Sequence, residues 1–311
     1  METQLILDKW PGAISVVTIG ACAANGGSRS QSVAVGGQTA MPLLFKEGGI
    51  PNPPRIAFEV WDVPAIDFNP ELISAYGQAL KDPLAWAKIC AEEFKADLLC
   101  LKLQGTHPDF GDRSPAQAAK FVFAVLEAVK IPLIIIGSGD DAKDNLVLPV
   151  CSEAARGQRC LIGSAVQENY KTLTASVLAD GHSIIAESPI DINIAKQLNI
   201  LISDMGLSLE RILIDPTIGA LGYGLEYAYS IMERARLAAL AGDKTLACPF
   251  ICFVGQESWR TKEAQAAPRQ GIIWETLTAT SLIQAGADIL VMRHPQAAKN
   301  VSRHIADLFK R

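Results

Sequence analysis

The chain has 311 residues, 49% hydrophobic and 20% charged, with a formal net charge of −5. This composition supplies a large core, excludes intrinsic disorder and, with no lysine-rich run to track phosphates, argues against a nucleic-acid partner. No uncharged apolar stretch reaches the roughly 18 residues of a membrane span, and Met1 to Trp10 carries Glu2 and Asp8 in place of an apolar signal core, so a cytoplasmic protein is expected.

The first 53 residues read as extended segments, LILDKW, AISVVTIGA and SVAVGG, separated by the turn formers Pro11-Gly12 and Asn25-Gly26-Gly27. Too short to bury its own core, residues 1–53 are expected to form a β-hairpin extension packed on the domain that follows.

From residue 54 short apolar runs alternate with longer amphipathic ones. The short runs are RIAFEV (55–60), DLLCLKL (97–103), PLIIIG (132–137), RCLIG (159–163), SIIAE (183–187), RILID (211–215), PFICFV (249–254) and DILVMR (288–293). Each is too short for a typical helix, rich in β-branched or large apolar residues, and closed by turn formers. Between them lie helical patterns such as PLAWAKICAEEF (83–94) and PAQAAKFVFAVLEAVK (115–130), and a last one covers about 295–310. Several of these close on a C-capping glycine: Gly181, Gly206, Gly242 and Gly286. Strand–helix units at this spacing predict a (β/α)8 TIM barrel over 54–311. An open doubly wound sheet is the alternative, but it leaves two edges to protect.

Ligands of such barrels sit at the C-terminal strand ends. Here those ends read Trp61-Asp62, Gln104-Gly105-Thr106-His107, Gly137-Ser138-Gly139-Asp140, Gly163-Ser164, Glu187-Ser188-Pro189, Asp215-Pro216-Thr217, Gly255-Gln256-Glu257-Ser258-Trp259 and Arg293-His294-Pro295. Such a small, polar rim suits many hydrogen bonds to a broad ligand more than one reactive group. Lys102 is the single strand-embedded lysine suited to Schiff-base chemistry. Glu59 sits equally deep in the preceding apolar run, so a structural Glu59–Lys102 ion pair is expected instead.

Metal chemistry finds little support. His107 and His294 read as loop histidines bonded to backbone, and His182 and His304 fall away from the rim. The seven cysteines include no C-x-x-C pair; Cys248 and Cys252, the closest, lie in a strand and read as core. Gly137-Ser138-Gly139 lacks the rest of a dinucleotide fingerprint and reads as a tight turn. The residues alone thus give a barrel without a catalytic constellation, and function has to come from the site rather than the fold.

Two stretches carry a resemblance: GGQTAMPLLFKEGGIPNPPRIAFEVWD (36–62) and ILIDPTIGALGYGLEY (212–227). Over essentially its whole length the chain resembles the small subunit of the corrinoid/iron–sulfur protein of anaerobic acetyl-CoA synthesis, whose archaeal relatives are delta subunits of the acetyl-CoA decarbonylase/synthase complex. The resemblance implies a heterodimer with a larger subunit that carries the iron–sulfur cluster and the corrinoid-binding domain, with no cluster in this chain. The corrinoid (a cobalamin) would lie between that domain and this barrel. It would take a methyl group from methyltetrahydrofolate through a separate methyltransferase and deliver it to acetyl-CoA synthase, the cofactor carrying the chemistry while protein positions and shields it.

On that resemblance the corrinoid-facing residues are Gly105, Thr106, Ser138, Gly139, Asp140, Gly163, Ser164, Asp215, Thr217, Gly219 and Gly222. The glycines from Gly219 to Gly224 could equally serve only a tight turn; a wide, flat corrin that needs close backbone approach favours the ligand reading. The other function class is a free-standing barrel methyltransferase that binds a pterin through Asp140 and Asp215.

Overall fold

The structure is a computed structural model that describes residues 6–65 and 67–310. An antiparallel pair, β1 (Val16–Ile19) and β2 (Val33–Gly36), comes first. Eight parallel strands then close into a barrel: β3 (Arg55–Trp61), β4 (Leu98–Lys102), β5 (Leu133–Ile136), β6 (Leu161–Ala165), β7 (Ser183–Glu187), β8 (Ile212–Asp215), β9 (Phe250–Cys252) and β10 (Ala287–Met292). Pairing of β10 with β3, Met292 opposite Phe58, completes the ring. The TIM barrel is therefore the fold, and the open sheet is excluded because no barrel strand has a free edge.

The helices are α1 (Pro70–Tyr76), α2 (Pro83–Glu92), α3 (Pro115–Ala128), α4 (Asp141–Ala154), α5 (Tyr170–Asp180), α6 (Ile192–Asp204), α7 (Leu225–Leu240), α8 (Val254–Ser258), α9 (Lys262–Ala266), α10 (Pro268–Ala285) and α11 (Pro295–Phe309). Their starts follow the local chemistry. Ser114 and Gln117 form a reciprocal capping box ahead of α3, and Asp82, Asp140 and Asp191 cap α2, α4 and α6 through their carboxylates. The strands divide their residues by parity. Phe58, Val60, Leu99 and Leu101 face the helices, whereas Ala57, Leu98, Cys100, Ile134, Leu161, Ile185, Leu213, Ile251 and Ile289 fill the interior.

The hairpin belongs to that interior. Val17, Ile19, Val33 and Val35 join the same apolar cluster as the inward barrel residues, which plugs the N-terminal end. The amides of Gly20 and Ser30 donate to the carbonyls of Arg159 and Lys130, just ahead of β6 and β5. Buried Arg29 donates to the Leu126 and Val129 carbonyls at 2.7 and 2.6 Å, satisfying orphan acceptors at the end of α3. Gln38 binds Asp288, which also pairs with Arg236.

Some elements differ from expectation. In LILDKW, Leu5 lies outside the described residues, and Ile6 to Trp10 forms no strand. The segment from 20 to 32 is a long connection containing a 3-10 turn at Ala23–Asn25 rather than a tight hairpin turn. PFICFV is strand only over Phe250–Cys252, because Phe253 leaves the extended region and Val254 opens α8. Helix α1 went unread because seven residues, about two turns, give too little periodicity.

Candidate functional site at the barrel mouth

With the N-terminal end plugged, the C-terminal end is the open one. A cavity of about 220 Å³ sits there, and its walls include Lys102, Gly139, Asp144, Ser164, Glu187, Asp215, Thr217 and Gln256. These residues come from strand ends and the loops just after them, where parity turns the last inward side chains toward the opening.

Asp144 shows how the sequence builds one wall. Asp140 caps α4 by accepting the Lys143 amide at 2.8 Å, which places Asp144 one turn on, over the loop that ends β5. Its carboxylate accepts the Ser138 amide at 2.8 Å, the Ser138 hydroxyl at 3.0 Å and the Gly139 amide at 2.9 Å. Gly137 has to be glycine, since an added Cβ would lie 2.1 Å from the Asp144 carboxyl carbon. Burial raises the Asp144 pKa despite these donors.

Two more carboxyl groups line the same cavity. Asp215, at the end of β8, is buried, and its Oδ1 accepts the Thr217 amide at 2.9 Å. Burial, then the neighbouring Glu187 carboxyl, pushes Asp215 well above the usual carboxylate range. Burial likewise raises Glu187, beside the Ser164 side chain. Two like charges adjacent in a largely buried site each disfavour ionisation of the other.

The basic side is a separate cluster. Arg293 donates to Glu59 Oε1 at 2.6 Å and lies over the Trp61 and Phe68 rings. Lys102 donates to Gln256 Oε1 at 2.9 Å. The expected Glu59–Lys102 pair is thus corrected: Arg293, directly across the β10–β3 seam, reaches Glu59 first, and its planar fork leaves Lys102 to an amide.

The sequence-selected residues fall into two groups. Gly139, Ser164, Asp215 and Thr217 line the cavity. Ser138 is spent on Asp144, Asp140 on its helix cap, the Gly105 amide on Asp62 at 2.7 Å, and the Thr106 hydroxyl on the Leu103 carbonyl at 2.7 Å. Gly163 abuts Ile185, which an added Cβ would meet at 2.6 Å. Gly219 and Gly222 belong to a loop that folds outward. The Leu221 amide there donates to Thr278, its carbonyl accepts from Trp274, and the Tyr223 hydroxyl donates to Glu263.

His107 and His294 each accept a backbone amide two residues on, at 3.1 and 3.0 Å, His107 capping a short 3-10 turn and His294 capping α11. Among the described residues no group of three or more histidine, cysteine or acidic side chains is placed to hold a metal ion. Cys248 and Cys252 are buried free thiols.

Comparison with known proteins gives the family. Residues 16–302 match the family model described as CO dehydrogenase/acetyl-CoA synthase delta subunit. The chain belongs to this delta-subunit family. The acetyl-CoA decarbonylase/synthase complex subunit delta of Methanosarcina mazei is 37% identical, over 97% of this chain and 72% of that protein. The subunit delta of Methanocaldococcus jannaschii is 35% identical, over 95% of this chain and 74% of that one. By name these relatives are components of a multi-subunit complex. Among solved structures, a Xanthomonas albilineans dihydropteroate synthase in complex with 7,8-dihydropteroate superposes with a TM-score of 0.60 at 14% identity, over 88% of this chain and all (100%) of that one. At that identity the likeness is one of barrel fold.

In this delta-subunit chain, sequence reasoning missed Asp144, the Lys102–Gln256 hydrogen bond and the place of Lys102 in the cavity wall. The signal for Asp144 was present in SGDDAKD, where an acid follows the helix cap by four residues and so returns to the same face.

Proposed function

We propose that the chain is the small subunit of a corrinoid/iron–sulfur methyl carrier of the reductive acetyl-CoA pathway, its barrel mouth covering a corrinoid held by the larger subunit. Membership of the delta-subunit family over residues 16–302 carries this reading. The mouth fits a broad, flat ligand. At Gly139, in the cavity wall, an added Cβ would meet nothing within 4 Å, so its backbone stands open to approach; Gly222 is equally open but lies on the adjacent loop, outside the cavity lining. The opposite end of the barrel is plugged by the hairpin. When bound, the corrinoid supplies the cobalt that accepts and releases the methyl group. The chain's own residues would contribute hydrogen-bonding partners for its edge and exclude water from its face. The iron–sulfur cluster is assigned to the larger subunit, and methyltetrahydrofolate methyltransferase and acetyl-CoA synthase are the expected transient partners.

The test is to assemble the chain with its larger subunit and follow corrinoid exchange and backbone hydrogen exchange. Slower corrinoid loss in the heterodimer, with new protection at residues 137–144 and 163–166 and in the loop 215–224, is expected. Protection confined to the hairpin would overturn the reading, as would stoichiometric iron in the chain purified alone. The alternative, a free-standing pterin methyltransferase, keeps one argument: Asp215 does line the cavity, although Asp140 is occupied as a cap. Turnover of methyltetrahydrofolate by the isolated chain would favour it.

A further inference from the structure

The mouth cavity has two chemically opposite poles. Lys102 ends β4 and Asp215 ends β8; the strand order β4-β5-β6-β7-β8 puts them on opposite sides of the ring, both lining the cavity. Lys102 is 9% exposed, and of its three N–H groups one is used, on Gln256. Its charged neighbours include Glu59, Arg293 and Arg260, and none of the cavity's acids forms an ion pair with it within 4 Å among the described residues. Asp215 is 5% exposed and accepts a hydrogen bond at Oδ1 only, which leaves Oδ2 uncommitted beside Glu187.

A free cation would satisfy the acids and be repelled by Lys102; an anion would do the reverse. A carbonyl flanked by N–H groups satisfies both poles without bringing a net charge into a desolvated site. The volume of about 220 Å³ takes a side chain or one end of a heterocycle rather than a whole drug-sized ligand.

We propose that this cavity is a carboxamide site, in which Lys102 donates to a carbonyl oxygen while Glu187 and Asp215 accept from the adjoining N–H groups. Two sources offer that chemistry. One is a peripheral amide side chain of a corrin lying over the mouth, which rests on the corrinoid reading above. The other is the ring amide of a free pterin, which does not.

The experiment has an arm for each. In the first, the heterodimer is loaded with cobalamin or with each cobalamin monocarboxylic acid, in which one propionamide has become a carboxylate. One of these acids should leave the parent heterodimer about ten-fold faster than cobalamin, the scale of a lost charge-assisted hydrogen bond. The isosteric Glu187→Gln, which offers an amide to the carboxylate, should largely remove that difference. In the second arm, the isolated chain is titrated with pterin by calorimetry. Binding that Asp215→Asn weakens about ten-fold assigns the free heterocycle.

If every acid behaves like cobalamin and pterin gives no heat, the proposal fails. It also fails if Lys102→Met leaves the observed ligand as tightly held as before. Circular dichroism and unfolding midpoints of each variant separate loss of the site from loss of the fold. A heterodimer that retains no cobalamin rejects the corrinoid reading itself, and calorimetry then decides the cavity alone.

Discussion

Glu59 and Arg293 join the two strands that close the barrel: the guanidinium lies 2.6 Å from the carboxylate, with 8% and 1% of the two residues exposed. Because both are buried, removing one strands the other's charge. Arg293→Met should therefore cost about 3–5 kcal/mol in chemical denaturation. Lys102→Met should cost less than about 1 kcal/mol, since that ammonium is desolvated and bonded only to an amide. Equal losses in the two variants would mean that Glu59 relies on the lysine after all.

His294 predicts a pH effect. Burial pushes its pKa down to about 4, and the neutral ring caps α11 while stacking on Trp259. A folded value below the unfolded one gives stability that is complete above about pH 6.5 and lost as pH falls through about 4. Glu275, which binds the Arg293 and His294 amides, is raised by burial to about 7 and acts in the opposite sense, losing stability as pH rises from about 4.5 through 7. His294→Asn keeps a capping side chain. Relative to the parent it should gain about 2 kcal/mol between pH 7 and about 4.5, read from urea midpoints. A difference independent of pH would show that the ring titrates alike in both states.

The thiols give a simpler expectation. Six of the seven cysteines are buried and Cys22 is partly exposed. Burial pushes Cys160 and Cys248 up to about 12 and raises Cys90, Cys100, Cys151 and Cys252 as well. A disulfide reagent should therefore modify one thiol quickly in the native chain and the rest only on unfolding. Cys22→Ser should abolish the fast phase; a fast phase that survives it would place a second reactive thiol at the surface.

What the sequence made legible follows from periodicity. All eight barrel strands stand where short apolar runs end in turn formers, and LIII in β5 falls inside the expected PLIIIG. The contacts of the site were less legible because they join residues far apart in the chain. Nothing local tells that Arg293 rather than Lys102 meets Glu59, 234 residues away in sequence. Nor does the string Gln104-Gly105-Thr106 announce that the Gly105 amide is consumed by Asp62, 43 residues away, and the Thr106 hydroxyl by the Leu103 carbonyl. Polar rim residues could be counted, but their hydrogen-bond partners could not.

The hairpin offers a test of domain organisation. Ile19 is fully buried against the barrel interior. Ile19→Ala should cost about 2–5 kcal/mol, as a deletion inside the barrel would. It should also leave a single cooperative transition. A separate early transition would mean that residues 1–53 fold independently of the barrel.

Gly222 returns to the question of why glycine recurs between Asp215 and α7. Gly222 and Gly224 have φ of +78° and +99°, and at Gly219 an added Cβ would lie 2.3 Å from the Tyr223 carbonyl oxygen. The turn alone therefore requires these glycines. The space around a Cβ at Gly222 is nevertheless open, so a leucine there would project into whatever docks on the loop. Left-handed backbone should make Gly222→Leu cost roughly 1–2 kcal/mol while the barrel still folds. If a corrinoid and its larger subunit cover this loop, the variant should also lose corrinoid faster. Gly181→Leu serves as the control: it has a similar φ of +82° and equally open space, but caps α5 at the N-terminal end of the barrel. Equal corrinoid exchange in the two variants would leave Gly222 a turn former and move the covering surface off this loop.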